Sequence, residues 1–410
     1  MSSSLDSLIV PSTTQAFLGV KLPKSNSWQL LLCQLKDASI VCWDVSVVDQ
    51  SDLPTTTISL SESSFSATDL SSSVFPNNDN DSYKYQLDIS SKFKLVTKLV
   101  FASPELRSQW EKFLGSAILV SSYKSNCSLD SLSPLSSFIQ FIQTQSSELD
   151  LSNSIICLHS IKALLPVLEK VSLSKLVLNN CQLNDQSIAL FATSMSSFTS
   201  LSHVSLSNNH ISSEGLSVLL DSLFCVDIKE LILDNNPLGD CGIIELGEVL
   251  SGIELSLLSV KNCSITHVGI ERFASTLPDS HVRSLFLSHN QIGDEGLDFI
   301  SFVLGHLQYL SHLDLENVGL KTASSFLRFA GALTSNSSLV SFNICNNSIP
   351  SASVFNELAQ QICGSSIMKA TLLKFDTNFG FQLDTKSEAV LRNLLTAGFS
   401  LKKFCLDRIE

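Results

Sequence analysis

Eight histidines, eleven cysteines and 39 acidic residues are the side chains of this 410-residue sequence from which acid–base, nucleophilic or metal chemistry could be built. A nucleophile needs a base within hydrogen-bond reach, a general acid or base needs a neighbour that tunes it, and a structural zinc needs closely spaced ligand pairs. The spacing offers none of these. No two cysteines stand as C-x-x-C, and G-x-x-x-x-G-K-[ST], H-E-x-x-H and G-x-S-x-G do not occur. His203, His289 and His312 fall at related places in a repeat, where solvated or packed imidazoles are expected. Glu271 and Glu295 fall at helix starts, where the helix dipole accounts for an acid. The expectation is a chain that is not an enzyme, holds no cofactor or metal, and works by binding.

Composition narrows the partners. The chain is 44% apolar and 16% charged, with a net charge of −13. The first 125 residues carry 10 basic and 12 acidic residues and the remainder 16 and 27, so the excess of acid lies in the C-terminal body. Such a body repels phosphate backbones, and nucleic acid is not an expected partner. Scattered cysteines, odd in number, suit reduced, buried thiols in the cytoplasm. The opening MSSSLDSLIV has no basic region and no long apolar run, and no stretch approaches a membrane span, so neither a signal peptide nor a transmembrane segment is expected.

The elements that must position any binding residues come from a repeat. The pattern L-x-x-L-x-L-x-x-N/C-x-L runs through Leu173, Leu176, Leu178, Cys181 and Leu183, and recurs to Leu339, Phe342, Ile344, Asn347 and Ile349. Its second apolar position falls at residues 176, 204, 231, 258, 285, 313 and 342, with spacings of 28, 27, 27, 27, 28 and 29. Weaker copies lie around Leu149, around Leu373 with Asn378, and around Leu401, giving about ten units over residues 149–410 with atypical ends. The L-x-L core predicts a short strand with alternate side chains inward. Asn209, Asn236, Asn290, Asn347 and Asn378 follow the strand, where a side-chain amide satisfies the turn's backbone, so they are expected to be structural.

The second half of each unit predicts a helix. In residues 293–307, Asp294 and Glu295 suit a helix start, and Leu297, Ile300, Val303 and Leu304 share one face. LSHNQIGDEGL and LSNNHISSEGL closely resemble ribonuclease-inhibitor-like leucine-rich repeats. That resemblance implies an α/β solenoid with parallel strands inside and helices outside.

Residues 14–118 have no repeat, contain Trp28, Trp43 and Trp110, and show several strand-like runs before one amphipathic helix. Ser103 is a good N-cap with Pro104 after it, and Leu106, Trp110, Phe113, Leu114 and Ala117 share a face. Many strands followed by one Trp-bearing helix resemble a pleckstrin-homology (PH) domain, a small β-barrel with a C-terminal helix. The resemblance implies Lys21, Lys24 and Lys36 as candidates for weak phosphoinositide contact, although Gln29-Leu30-Leu31 stands where lipid-binding members carry a basic pair. Residues 1–13 are expected to be disordered, 71–82 to form a loop, and 119–148 to be a Ser-rich linker with a helix near 134–145 that caps the first repeat.

Two columns are expected to point outward from the concave side of the solenoid. One holds Val177, Ser205, Ile232, Ser259, Phe286, Asp314, Asn343 and Lys374. The other holds Lys175, His203, Glu230, Leu257, Ser284, His312, Ser341 and Leu372. Val177, Ile232, Leu257 and Phe286 place apolar groups there, and with His312 and Asp314 they are the candidate surface for a partner protein, with Phe286 as anchor. The order of parts resembles the front half of the CARMIL regulators of actin capping protein, without their long basic tail. That resemblance implies a cytoskeletal scaffold in the cytoplasm, peripheral at the plasma membrane. Two alternatives are a GTPase activator resembling the Ran-specific family, which uses similar repeats, and a phosphoinositide-binding membrane adaptor.

Overall fold

A computed structural model describes residues 15–21, 29–36, 39–44, 56–60, 64–69, 85–90, 96–101, 103–344, 346–351, 353, 354, 356–358 and 389. The expected disorder of residues 1–13, the 71–82 loop, Lys24, and the repeats around Leu373 and Leu401 lie outside these residues. The chain divides into two compact units, Met1–Ser146 and Ser147–Glu410.

The first unit is an antiparallel sheet followed by helices. Its strands are β1 (Gln15–Lys21), β2 (Gln29–Lys36), β3 (Ser39–Asp44), β4 (Thr56–Ser59), β5 (Ser64–Asp69), β6 (Tyr85–Ser90) and β7 (Val96–Phe101), in the order β4-β3-β2-β1-β7-β6-β5. Period-two burial makes the sheet: Leu18 and Val20, Leu31, Cys33 and Leu35, Ile40 and Cys42 all turn to one core. Helix α1 (Pro104–Leu129) adds Trp110 and Leu114 to that core. Its start is the expected one, with Pro104 at the first position and Ser103 Oγ accepting from Leu106 N–H at 3.1 Å.

The helix corrects the expected linker. It does not stop near residue 118 but runs on through Leu129. Tyr123 and Cys127 are buried one turn apart, continuing the inward stripe through a Ser-rich segment that reads as linker. Helix α2 (Ser136–Thr144) packs back on α1. Phe138 meets the Tyr123 ring edge-on at 4.6 Å, Tyr123 Oη accepts from Leu135 N–H, and Ser116 Oγ donates to the Ile142 carbonyl.

The second unit is the solenoid. Strands β8 (Glu148–Asp150), β9 (Lys175–Val177), β10 (His203–Ser205), β11 (Glu230–Ile232), β12 (Leu257–Ser259), β13 (Ser284–Phe286), β14 (His312–Asp314) and β15 (Ser341–Asn343) form one sheet in chain order, each parallel to the next. Between them run α3 (Leu158–Leu168), α4 (Asp185–Ser194), α5 (Ser213–Leu223), α6 (Gly239–Val249), α7 (His267–Thr276) and α8 (Gly293–Leu304), with α9 (Ala323–Ser335) before β15. Leu149, Leu176, Val204, Leu231, Leu258, Leu285, Leu313 and Phe342 stand in one register column. All eight are buried, so even the degenerate copy at Leu149 keeps the common register.

Two ladders tie repeat to repeat. Asn209 Oδ1 accepts from the N–H groups of Cys181 and Leu183, and its Nδ2 donates to the carbonyls of Leu178 and Leu206. Asn290 and Asn347 bind the same way and Asn236 accepts from Ile211 N–H and donates to Leu206 and Leu233 carbonyls, as expected for structural residues. Where cysteine replaces asparagine, Cys181 and Cys263 donate their thiols to Leu151 and Leu233 carbonyls. A thiol is a weak acceptor beside an amide oxygen, and in the turn before Cys263 the Leu238 N–H closes on Asn236 O. The second ladder lies at the helix starts. Asp185 accepts from Ser212 N–H and Oγ, Asp240 from Thr266 N–H and Oγ1, and Asp294 from the N–H groups of Lys321 and Thr322. These acids therefore reach into the next repeat, beyond the local capping role expected of Asp294.

Candidate functional site

Residues flanking each buried strand leucine lie on the sheet face turned away from the helices. The register puts Val177, Ser205, Ile232, Ser259, Phe286, Asp314 and Asn343 in one row, and Lys175, His203, Glu230, Leu257, Ser284, His312 and Ser341 in the other. Along the first row, large apolar residues alternate with serine. Ser205 and Ser259 are buried, their hydroxyls donating to Asn179 Oδ1 and Asp234 Oδ1. Val177, Ile232, Leu257 and Phe286 are half-buried rather than exposed, because neighbouring strands stand only about 4.8 Å apart.

The face brings some of the expected residues together. Ile232, Leu257 and Phe286 lie on successive strands, at diagonal positions of the register. Val177 is set apart from them, with the recessed Ser205 between it and Ile232. Asp314 is the register partner of Phe286, while the exposed His312 lies one strand beyond Ser284 in the other row.

Phe286 sits in a charged frame. Lys261 Nζ stands 4.6 Å from the ring centroid, within cation–π range, and 3.3 Å from Asp314 Oδ2. Asn343 Nδ2 donates to both Asp314 and Glu316, each at 2.9 Å. Asp234 Oδ1 accepts from Lys261 N–H at 2.9 Å and so fixes where the lysine leaves the backbone. Lys261, Asp234 and Glu316 were not among the residues expected from sequence. All three occupy the place one past the third strand leucine, and reading that column beside the other two would have found them.

The next place along the repeat is left-handed throughout. Asn153, Asn180, Asn208, Asn235, Asn262, His289, Asn317 and Asn346 all have φ between 51° and 62°. Asparagine tolerates that conformation, which accounts for its recurrence. Asn180 donates to Asn153, Asn262 to Asn235, and Asn317 Nδ2 to His289 Nδ1, an exposed ladder that identifies His289 as a structural substitute. His203 Nδ1 lies 2.5 Å from Glu230 Oε2, and His312 Nδ1 lies 2.8 Å from Ser311 Oγ. Among the described residues no three His, Cys, Asp or Glu gather as a metal site, and no helix is long and apolar enough to cross a membrane.

Two of the lysines proposed for lipid, Lys21 and Lys36, stand at opposite ends of their hairpin. Lys21 ends β1 beside the β1–β2 connection, whereas Lys36 ends β2 at the far end of that hairpin, about 25 Å away by strand rise. Lys21 is instead the register partner of Lys98, which is ion-paired to Asp88 at 3.4 Å.

Comparison with known proteins bears on the second unit. The family described as "Leucine Rich repeat" matches residues 199–220 and 279–301. The mouse protein "NACHT, LRR and PYD domains-containing protein 4C" is 27% identical over 282 residues, covering 58% of this chain and 28% of that protein. The pig "Ribonuclease inhibitor" is 29% identical over 209 residues, covering 50% of this chain and 44% of the inhibitor. The zebrafish "Tonsoku-like protein" is 28% identical over 161 residues, covering 36% of this chain and 11% of that protein. The chain thus spans less than half the length of each of these relatives. Matched repeats, parallel sheet and outer helices together support a leucine-rich-repeat solenoid in the second unit, similar to that of ribonuclease inhibitor.

Proposed function

We propose that this chain is a non-catalytic scaffold that takes a partner protein on the concave, helix-free face of its repeats, with Phe286 as the anchor. The observation that carries the reading is the Phe286 frame. A half-buried aromatic on the register diagonal of Leu257 and Ile232, rimmed by Lys261, Asp314 and Glu316, has the apolar centre and polar edge of an interface hot spot. Similarity to ribonuclease inhibitor and to other leucine-rich-repeat proteins supports a protein partner.

Affinity capture with quantitative mass spectrometry tests this against a matched control. Phe302 on α8 is 83% exposed and belongs to the helix side. Phe286→Ala lowers recovery of the partner at least about tenfold, the loss expected for a central aromatic, with the melting temperature nearly unchanged. Phe302→Ala leaves recovery intact. The opposite pattern moves the interface to the helices.

A finer reading concerns the first unit. Its strand order, with helix α1 directly after the last strand, supports a PH-like domain, and a PH-like front before such repeats resembles the CARMIL arrangement of a cytoplasmic actin-capping regulator at the membrane. Sedimentation with phosphoinositide vesicles, for the native chain and for Lys21→Ala with Lys24→Ala, tests the membrane part. A native chain that stays in the supernatant removes it.

A further inference from the structure

Two thiols in the first unit have no part in the interaction face. Cys33 on β2 and Cys42 on β3 are direct partners in the antiparallel register, and both are fully buried. The Cys33 thiol donates to Cys42 Sγ, with the sulfurs 3.3 Å apart. We propose that this pair is an oxidation site at which a hydroperoxide closes a disulfide, stapling β2 to β3.

The geometry is ready for the bond. Direct antiparallel partners hold their Cα atoms about 4.5 or 5.5 Å apart, and a disulfide accepts about 4.4–6.8 Å. Closing the bond therefore needs the sulfurs to approach by roughly 1.3 Å, which side-chain rotation supplies without moving a strand. Both residues point to the same face, since Leu31, Cys33 and Leu35 alternate into one core.

The chemistry balances with hydrogen peroxide as the oxidant. One sulfur attacks a peroxide oxygen, the O–O bond breaks, and a sulfenic acid and water form. The second sulfur displaces the hydroxyl as a second water. Two S–H bonds are lost, one S–S bond is gained, and the peroxide is reduced to two waters. The hydrogen bond to Cys42, with burial, pushes the Cys33 thiol far above the ordinary range, so the reactive thiolate is scarce. Reaction is accordingly slow, and the product, in the same dry core, resists reductants. The pair is a staple that records long exposure to oxidant rather than a fast switch.

Peptide mapping of the intact chain tests this. The folded protein is incubated with hydrogen peroxide or with a phosphine reductant, quenched, denatured, alkylated, digested and mapped by mass spectrometry. The exposed Cys157, Cys225 and Cys241 report that oxidant reached the sample. The expected result is a Cys33–Cys42 linked peptide in the peroxide sample alone, with a melting transition of the first unit raised by roughly 5 °C or more that is absent from Cys42→Ala. Cys33 and Cys42 both recovered alkylated while the exposed thiols are oxidised overturns the proposal. So does a bridge from either residue to a different cysteine, or one that forms only when peroxide is added in denaturant.

Discussion

Asn290 Oδ1 accepts from the N–H groups of Cys263 and Ile265, and its Nδ2 donates to the carbonyls of Val260 and Leu287. All four partners are main-chain groups of a dry turn, so Asn290→Ala strands them together. The expected loss is about 3 kcal/mol or more in guanidinium unfolding. Asn290→Cys loses less, because a thiol at this place still reaches a carbonyl, as Cys181 and Cys263 do. The thiols also differ in reactivity. Burial pushes Cys263 up to about 12 and Cys181 up to about 11. The exposed Cys157 is held below the ordinary thiol value by hydrogen bonds from Ser160. A lowered pKa means more thiolate at a given pH, so iodoacetamide at pH 8 labels Cys157 first. Cys181 and Cys263 are labelled only when the array unfolds. Equal labelling of all three in the folded chain contradicts this ordering. The asparagine positions were legible in the sequence because their period matches the strand period. Phe286 and Asp314 were legible as neighbours in one row; that Lys261, from another place in the repeat, reaches both was not, because side-chain reach leaves no periodic trace.

At the scale of the element, the repeat helices pack closely through glycine. A Cβ added at Gly269 in α7 would lie 2.5 Å from Asp240 Oδ1 and 3.0 Å from the Asp240 Cα, and Asp240 cannot yield because it holds the Thr266 N-cap. Gly269→Ala is therefore expected to destabilise the array by about 1–3 kcal/mol. Gly331 in α9 has open space around it, so Gly331→Ala stabilises by about 0.5–1 kcal/mol through helix propensity. Chemical denaturation of the two variants side by side checks the opposite signs. The strands and most helices were readable from periodicity. The length of α1 was not: Ser121, Ser122, Ser125 and Ser128 make residues 119–129 read as linker, and only the burial of Tyr123 and Cys127 reveals the helix.

At the scale of the molecule, each unit has its own core. The first is built from the antiparallel sheet and the start of α1, and the second from the stacked leucine column and the outer helices. Calorimetry is expected to resolve two unfolding transitions. Residues 1–146 and 147–410, expressed separately, are each expected to retain one of them. A single transition that disappears on separation argues for one cooperative body. The repeat unit gains stability additively from neighbour contacts, so its transition is the one that Asn290→Ala and Gly269→Ala move. A shift confined to the other transition reverses that assignment.

The sequence by itself determined the repeat period, the strand register, the helix that follows each strand, the structural asparagines and the two rows of outward residues. All of these are local conformation repeated every 27–29 residues, and a repeated local preference leaves a periodic trace. Tertiary structure alone decided which outward residues meet. It joined Phe286 to Lys261 and Asp314, set Val177 apart behind Ser205, sent Asp240 to the next helix start, placed Lys36 at the far end of the hairpin from Lys21, and faced Cys33 on Cys42. Those outcomes depend on side-chain reach across neighbouring strands and repeats, which no one-dimensional period records.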